Sequence, residues 1–93
     1  TLTKASKDLY SDNYYLLYFY KIMVAIQVFT SFGESIPDAD VYISWSDGLT
    51  HSQGKTDSRG VVSFNVPPGS GEIFVNGRIV YRGPIGEELV VST

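Results

Sequence analysis

Short runs of alternating apolar and polar residues recur along this chain. Because successive side chains of a β-strand point to opposite faces, these runs predict strands with one buried face. The predicted inward positions are Ile22, Val24, Ile26 and Val28, then Val41, Ile43 and Trp45, then Val62, Phe64 and Val66, then Ile73 and Val75. Residues 49–56 form a weak, polar run that is typical of a sheet edge.

Turn-forming residues separate the runs at intervals of about ten residues. Asp47-Gly48 and Asn76-Gly77 predict two-residue hairpins, because glycine readily adopts the positive φ that such turns need. Residues 57–60, Asp-Ser-Arg-Gly, predict a turn in which the aspartate side chain accepts backbone N–H groups. Residues 67–71 are predicted to form a loop, and Gly83-Pro84 is predicted to break the chain before a last strand.

These elements predict an all-β protein, an antiparallel Ig-like or prealbumin-like β-sandwich of about seven strands. With 93 residues, 43% of them hydrophobic, the chain is long enough for one domain with a modest core. Residues 1–13 are polar and lack a sustained period, so they are predicted to form an N-terminal arm. Residues 14–93 are predicted to form the sandwich domain.

Residues 14–29 form the most apolar segment and combine tyrosine, phenylalanine and β-branched residues. The segment is shorter than a transmembrane helix requires and contains Lys21 and Gln27. It also lacks the polar face of an amphipathic helix, so a long, bent strand is favoured. One small core can hardly bury all of these rings. We therefore expect an interface with another chain or domain, formed by Tyr14, Tyr15, Tyr18, Phe19 and Tyr20, against the alternative that the segment lies in its own core.

Charge and cysteine content narrow the function classes. The net charge of −3 provides no basic surface for nucleic acid, and no Lys/Arg run indicates contact with an anionic membrane. The low charged fraction of 18% suggests that part of the apolar surface is covered by a partner. The absence of cysteine is compatible with the cytosol and with a disulfide-free surface protein. Since the chain begins with Thr1, we expect a processed chain or a domain of a longer one.

Three motifs together indicate a family. The strand start at residues 36–41 (Ile-Pro-Asp-Ala-Asp-Val), the turn at residues 56–60 (Thr-Asp-Ser-Arg-Gly) and residues 66–69 (Val-Pro-Pro-Gly) resemble the carboxypeptidase-regulatory-like, or transthyretin-like, and bacterial Ig-like modules. The resemblance covers about residues 23–80. It implies an accessory or structural role, often at the cell surface or in secreted proteins, and it brings no catalytic residues. The family's tyrosine after Pro-Pro-Gly is missing here, where Ile73 and Phe74 stand instead.

Candidate chemistry is sparse. His51, the one histidine, lies in the polar run, where a solvated side chain is favoured over a general base. A Lys21 isopeptide bond with Asn65 or Asn76 is an alternative, but no buried acid is evident to assist it. If consecutive strands reverse direction, acidic loops meet at one end and suggest a calcium site. Its ligands would be Glu34, Asp38, Asp57 and Asn76, with Asp40 nearby; the alternative is that these residues cap their own turns.

The sequence therefore favours a non-catalytic structural or protein-association module of a cell-surface or secreted protein. It would use the aromatic N-terminal strand and an exposed sheet edge, with another domain or a copy of itself as partner. The alternative function is a carbohydrate-binding accessory module with exposed Tyr or Trp45 rings. We expect no enzyme activity, no cofactor except calcium in the alternative above, and no membrane insertion in this segment.

Overall fold

Two packed β-sheets make up the fold in a computed structural model that describes residues 22–93. Seven strands account for it, and this confirms the predicted all-β sandwich. The strands are β1 (Val24–Phe29), β2 (Asp40–Trp45), β3 (His51–Lys55), β4 (Val61–Phe64), β5 (Gly69–Val75), β6 (Arg78–Ile85) and β7 (Glu88–Ser92). No helix in the described part of the chain is long and apolar enough to cross a membrane.

The smaller sheet has the strand order β4-β1-β7, and the larger sheet has the order β3-β2-β5-β6. All pairings are antiparallel except one, because β7 runs parallel to β1 with Ile26 opposite Leu89. This pair departs from the predicted antiparallel arrangement. Parallel pairing is accessible here because most of the chain separates the two strands, so no tight hairpin has to connect them.

The core lies between the sheets and consists of the side chains that alternation predicts. Val24, Ile26 and Val28 from β1 face Val41, Ile43 and Ile73 from the larger sheet, all fully buried. Trp45 is 8% exposed, and its indole N–H donates to the Ser52 hydroxyl at 3.0 Å, which satisfies a polar atom inside the core. The prediction for Ile22 is wrong: β1 begins at Val24, so Ile22 precedes the ladder and is 47% exposed.

Two predicted breaks lie inside strands. β5 begins at Gly69, within the predicted loop, and β6 runs through Gly83-Pro84, where a break was predicted. Proline lacks a backbone N–H, but an outer strand has one side without a ladder, so the ring is tolerated there. The position of β6 at the sheet edge therefore explains why Pro84 does not end the strand.

Both predicted hairpins are present, but the two-residue turn is confirmed at Asn76-Gly77 and wrong at Asp47-Gly48, where the Trp45 N–H donates to the Thr50 carbonyl and the loop is residues 46–49. Asn76 and Gly77 have φ values of 51° and 86°, as a two-residue turn between antiparallel strands requires. The Asn76 side chain also accepts the Asp40 N–H at 2.9 Å and so joins this turn to the start of β2. In the other hairpin, the Asp47 carboxylate accepts the N–H groups of Leu49 and Thr50, each at 2.8 Å.

Residues 56–60 form a corner that carries the chain from the larger sheet to the smaller one. Thr56 is buried; its hydroxyl donates to the Ile36 carbonyl at 2.7 Å and accepts the Ala39 N–H at 2.8 Å. Asp57 accepts the N–H groups of Arg59 at 2.8 Å and Val61 at 3.0 Å. The Thr-Asp-x-x-Gly pattern is therefore a structural corner whose polar groups are used within the fold.

Candidate interaction surface

An aromatic cluster lies on the outer face of the larger sheet, opposite the core. The half-buried Tyr42 stacks on His51 with ring centroids 5.7 Å apart, and Phe74 meets Tyr42 edge-on at 6.0 Å. Ile79, which is paired with Phe74 in the sheet register, extends the apolar surface and is 45% exposed. We call Tyr42, His51, Phe74 and Ile79 the aromatic face. A flat sheet surface with apolar residues across its centre is suited to contact with another surface.

Strand alternation explains how these four residues meet. Val41 and Ile43 point into the core, so Tyr42 between them points outward, and Ile73 and Val75 place Phe74 outward in the same way. The register then sets Tyr42 directly opposite Phe74. Sequence alternation had placed Tyr42 on the outer face, but the partner of Tyr42 depends on the register between distant strands, which alternation does not supply.

Charged and amide groups border the aromatic face. On one side, Arg82 forms an ion pair with Glu72 at 2.7 Å. On the other, the Gln53 amide donates to both carboxylate oxygens of Asp40, at 3.1 and 3.2 Å. Both pairs are solvent-exposed, so their main effect is to keep charges satisfied beside the apolar centre rather than to stabilise the fold. An apolar centre within a polar rim is the usual arrangement of a protein interface.

The outer strand β3 adjoins the aromatic face and leaves one side of its backbone open. The Trp45 N–H donates to the Thr50 carbonyl at 3.1 Å, and bonded positions alternate along an antiparallel ladder. Ser52 and Gly54 therefore bond to β2, whereas His51, Gln53 and Lys55 direct their N–H and C=O groups away from the sheet. We call this side of β3 the open edge. The predicted edge strand at residues 49–56 is confirmed as β3.

The residues that we predicted as an interface, Tyr14, Tyr15, Tyr18, Phe19 and Tyr20, lie outside the described residues. The same holds for the boundary between the arm and the domain at residues 13 and 14, and for Lys21. Their roles stay predictions. Within residues 22–93, the open edge corresponds to the predicted edge strand, whereas the aromatic face is a surface that sequence reasoning alone did not assemble.

Two of the residues predicted as calcium ligands, Asp57 and Asn76, have side chains that are engaged by the backbone. The Asn76 side chain binds the Asp40 N–H, and the Asp57 carboxylate binds its own turn. The N–H of Val61, and then that of Arg59, hold the pKa of Asp57 below its ordinary value of 3.8. The Asp38 N–H donates to the Thr56 carbonyl, so these loops do adjoin. No group of three or more His, Cys, Asp or Glu residues within residues 22–93 is placed to hold a metal ion, and Glu34 joins none. Calcium binding stays a prediction, which a calcium titration of the full chain would test.

Ring exposure bears on the carbohydrate alternative. Trp45 is buried in the core, so the expectation of an exposed Trp45 ring is wrong; its position in the alternating run β2 turns it inward. Among the described aromatic residues, Phe32 is the one strongly exposed ring, 90% accessible at the tip of a loop. Tyr42 and Tyr81 are half-buried. The described residues therefore present no row of exposed rings for stacking on a glycan.

No protein-family model matches the chain, and a search of curated proteins finds no similar sequence.

Proposed function

We propose that this chain is a non-catalytic β-sandwich module that acts in protein association, as part of a cell-surface or secreted protein. The observation that carries the proposal is the aromatic face, with Ile79 45% exposed beside the half-buried Tyr42 and Phe74. The resemblance of residues 36–41, 56–60 and 66–69 to accessory surface modules supports the same role. The uncharged aromatic segment at residues 14–20 and the low charged fraction support it as well.

Association through such a face is physically favourable for two reasons. Burial of Ile79 and of the exposed parts of Tyr42 and Phe74 removes apolar surface from water, at about 25 cal/mol per Å². The rings also lose little conformational freedom, because Tyr42 is already held between His51 and Phe74. The Glu72–Arg82 pair and Asp40 at the border would select among partners by charge.

Sedimentation equilibrium of the full chain between micromolar and millimolar concentration tests association with itself. We expect the average mass to rise above 10.3 kDa with concentration. Ile79→Ser, which removes the most exposed apolar side chain of the aromatic face, should shift the transition to higher concentration. The matched control is Val90→Ser, because Val90 is 62% exposed on the outer face of the smaller sheet.

Two results would contradict the proposal in this form. One is a strict monomer at all concentrations. The other is an equal response to both substitutions, which would show that general stickiness rather than the aromatic face drives assembly. Thermal unfolding of each variant checks that the fold is intact. We expect little change in the midpoint, because both side chains are substantially solvent-exposed.

A further inference from the structure

We propose that the open edge of β3 binds an extended segment of a partner protein by strand addition, and that Lys55 selects an acidic side chain in that segment. This inference rests on the proposed association function and specifies how one part of the surface recognises its partner. Three features support this inference: the difference between the two outer strands of the larger sheet, the directions of the β3 side chains, and the charge of Lys55.

The two outer strands of the larger sheet differ in their protection. β6 contains Pro84, which removes a backbone donor, and the β5–β6 ladder has a register shift between Ile73 and Phe74. Proline and irregular pairing are common devices that prevent a further strand from adding. β3 contains neither: it has five residues, no proline, and an unbroken register with β2 from Asp40 to Ser44. Its one charged residue, Lys55, lies at the end of the strand and would repel a basic segment, so within this sheet β3 is the strand suited to pairing with a segment that is not basic.

The β3 side chains leave the open edge uncovered. His51 leans over Tyr42, and the Gln53 amide reaches Asp40, so both are directed back over β2 rather than along the edge. On the inner face, the Ser52 hydroxyl accepts the Trp45 indole N–H, and Gly54 has no side chain. The outward N–H and C=O groups of residues 51, 53 and 55 are therefore accessible to an incoming strand. Main-chain pairing of this kind supplies affinity without sequence preference.

Gly54 and Lys55 determine which residues are preferred at two positions of the partner segment. A Cβ atom on Gly54 would lie 3.1 Å from Val62 Cγ2 and 3.3 Å from Phe64 Cε1, so these apolar side chains come close to the edge backbone. An apolar residue opposite Gly54 would extend this contact with the half-buried Phe64. On the outer side, Lys55 is the one formally charged residue of β3. Asp40 lies opposite Lys55 in the register, but its carboxylate accepts the Gln53 amide, and no carboxylate among residues 22–93 lies within ion-pair distance of Lys55. A partner residue opposite Lys55 is therefore expected to be acidic.

A capped synthetic peptide, Thr-Glu-Leu-Thr-Val-Tyr-Thr, carries this pattern for antiparallel pairing, with glutamate opposite Lys55 and leucine opposite Gly54. Binding to the full chain is followed by NMR titration, with amide hydrogen exchange as a second measurement. We expect slower exchange at His51, Gln53 and Lys55 when the peptide is bound. The matched control peptide has lysine in place of glutamate and should bind about threefold more weakly, as suits an exposed ion pair.

Two variants make the result decisive. Lys55→Glu should reverse the order of the two peptides, which a merely structural role of Lys55 would not do. Gln53→Pro should abolish binding of both, because it removes an outward N–H and places a ring on the edge. Equal binding of the peptides to the wild-type chain, or shifts at β6 or at Tyr42, Phe74 and Ile79 without shifts at Gln53 and Lys55, would overturn the proposal. So would the absence of any shift at millimolar peptide.

The outcomes also separate this inference from the proposed function. Peptide binding at β3 by a chain that stays monomeric would support strand addition while contradicting self-association through the aromatic face. Self-association that depends on Ile79, without peptide binding, would support the aromatic face and overturn the open edge as a binding site.

Discussion

The two Asp–Gly turns of this protein use the same local chemistry for different purposes. In each, an aspartate carboxylate accepts two backbone N–H groups and a glycine has a positive φ, 77° at Gly48 and 80° at Gly60. The first turn joins two neighbouring strands of one sheet, whereas the second carries the chain between the sheets. The turn at Asp47 is solvent-exposed, and the corner at Asp57 contains the buried Thr56 and Gly60.

The difference shows that a turn motif acquires its importance from what surrounds it. Gly48 has nothing within 4 Å of where a Cβ would lie, whereas a Cβ on Gly60 would lie 2.8 Å from the Val28 carbonyl oxygen. The Val28 N–H also donates to the Gly60 carbonyl at 2.8 Å, so the corner is bonded to the central strand of the smaller sheet. The corner is therefore part of the scaffold that positions the larger sheet, and with it the aromatic face and open edge.

The largest expected contrast comes from alanine at the two glycines. Gly60→Ala combines an unfavourable φ with overlap against backbone that cannot move aside, so we expect a loss of about 3 kcal/mol or more in unfolding free energy. Gly48→Ala carries the φ penalty alone, about 1–2 kcal/mol. Urea unfolding of both variants measures the difference. Equal losses would show that the corner is no more tightly packed than the hairpin.

A smaller contrast comes from the two threonines. Thr56→Val preserves shape but leaves the buried Ala39 N–H and Ile36 carbonyl without the hydroxyl, so we expect a loss of about 2 kcal/mol. Thr50→Val removes a hydroxyl that donates to the exposed Asp47 carboxylate, and water can replace that contact. Its loss should be clearly smaller. If Thr50→Val is as destabilising as Thr56→Val, the distinction between a buried corner and an exposed turn fails.

Much of this contrast lies beyond what sequence reasoning can reach. The identity of both turns followed from Asp and Gly in local spacing, because turn chemistry depends on neighbouring residues. The inward positions of β2 also followed from alternation, since Val41, Ile43 and Trp45 share one face. The burial of Gly60 could not be predicted, because it depends on the approach of Val28 from a strand more than thirty positions earlier.

The candidate site was less predictable than the fold for the same physical reason. Tyr42 and Phe74 meet because β2 and β5 pair in one particular register, which distant packing decides. The polar run at residues 49–56 did predict the outer strand β3. Pro84 was mistaken for a break, because its tolerance depends on β6 being the other outer strand of this sheet. Local sequence patterns predict turns and the inward or outward direction of strand side chains, whereas the order of strands in a sheet depends on the whole fold.

Acid should affect both turns in the same direction. The Thr50 hydroxyl, and then the Thr50 and Leu49 N–H groups, lower the pKa of Asp47, and backbone N–H groups lower that of Asp57, both from 3.8. Because the unfolded chain binds protons more readily at these carboxyls, their stabilisation is present above the ordinary pKa of 3.8, is complete at about pH 5, and is lost as pH falls through the lower folded pKa. We expect the thermal midpoint to fall between pH 5 and pH 2.5.

Replacement by asparagine isolates that contribution. Asp57→Asn and Asp47→Asn remove the titrating group while keeping a side-chain acceptor, so each variant should lose less of its own thermal midpoint over this range than the wild-type chain does. The difference between variant and wild type is the quantity to compare, because it isolates the contribution of the carboxyl that was replaced. An unchanged slope in both variants would show that neither turn carboxylate is stabilised in the folded state.

The smallest expected changes in unfolding free energy are at two exposed loop residues, Phe32 and Leu49. Phe32 and Leu49 are 90% and 87% exposed, each in a turn whose backbone N–H groups donate to a side chain, the Thr30 hydroxyl in one and the Asp47 carboxylate in the other. Neither side chain packs in the described core, so Phe32→Ser and Leu49→Ser should each change the unfolding free energy by less than about 0.5 kcal/mol. Urea unfolding at low protein concentration tests this. A clearly larger loss at Phe32 or at Leu49 would show that this side chain contributes to packing in spite of its exposure.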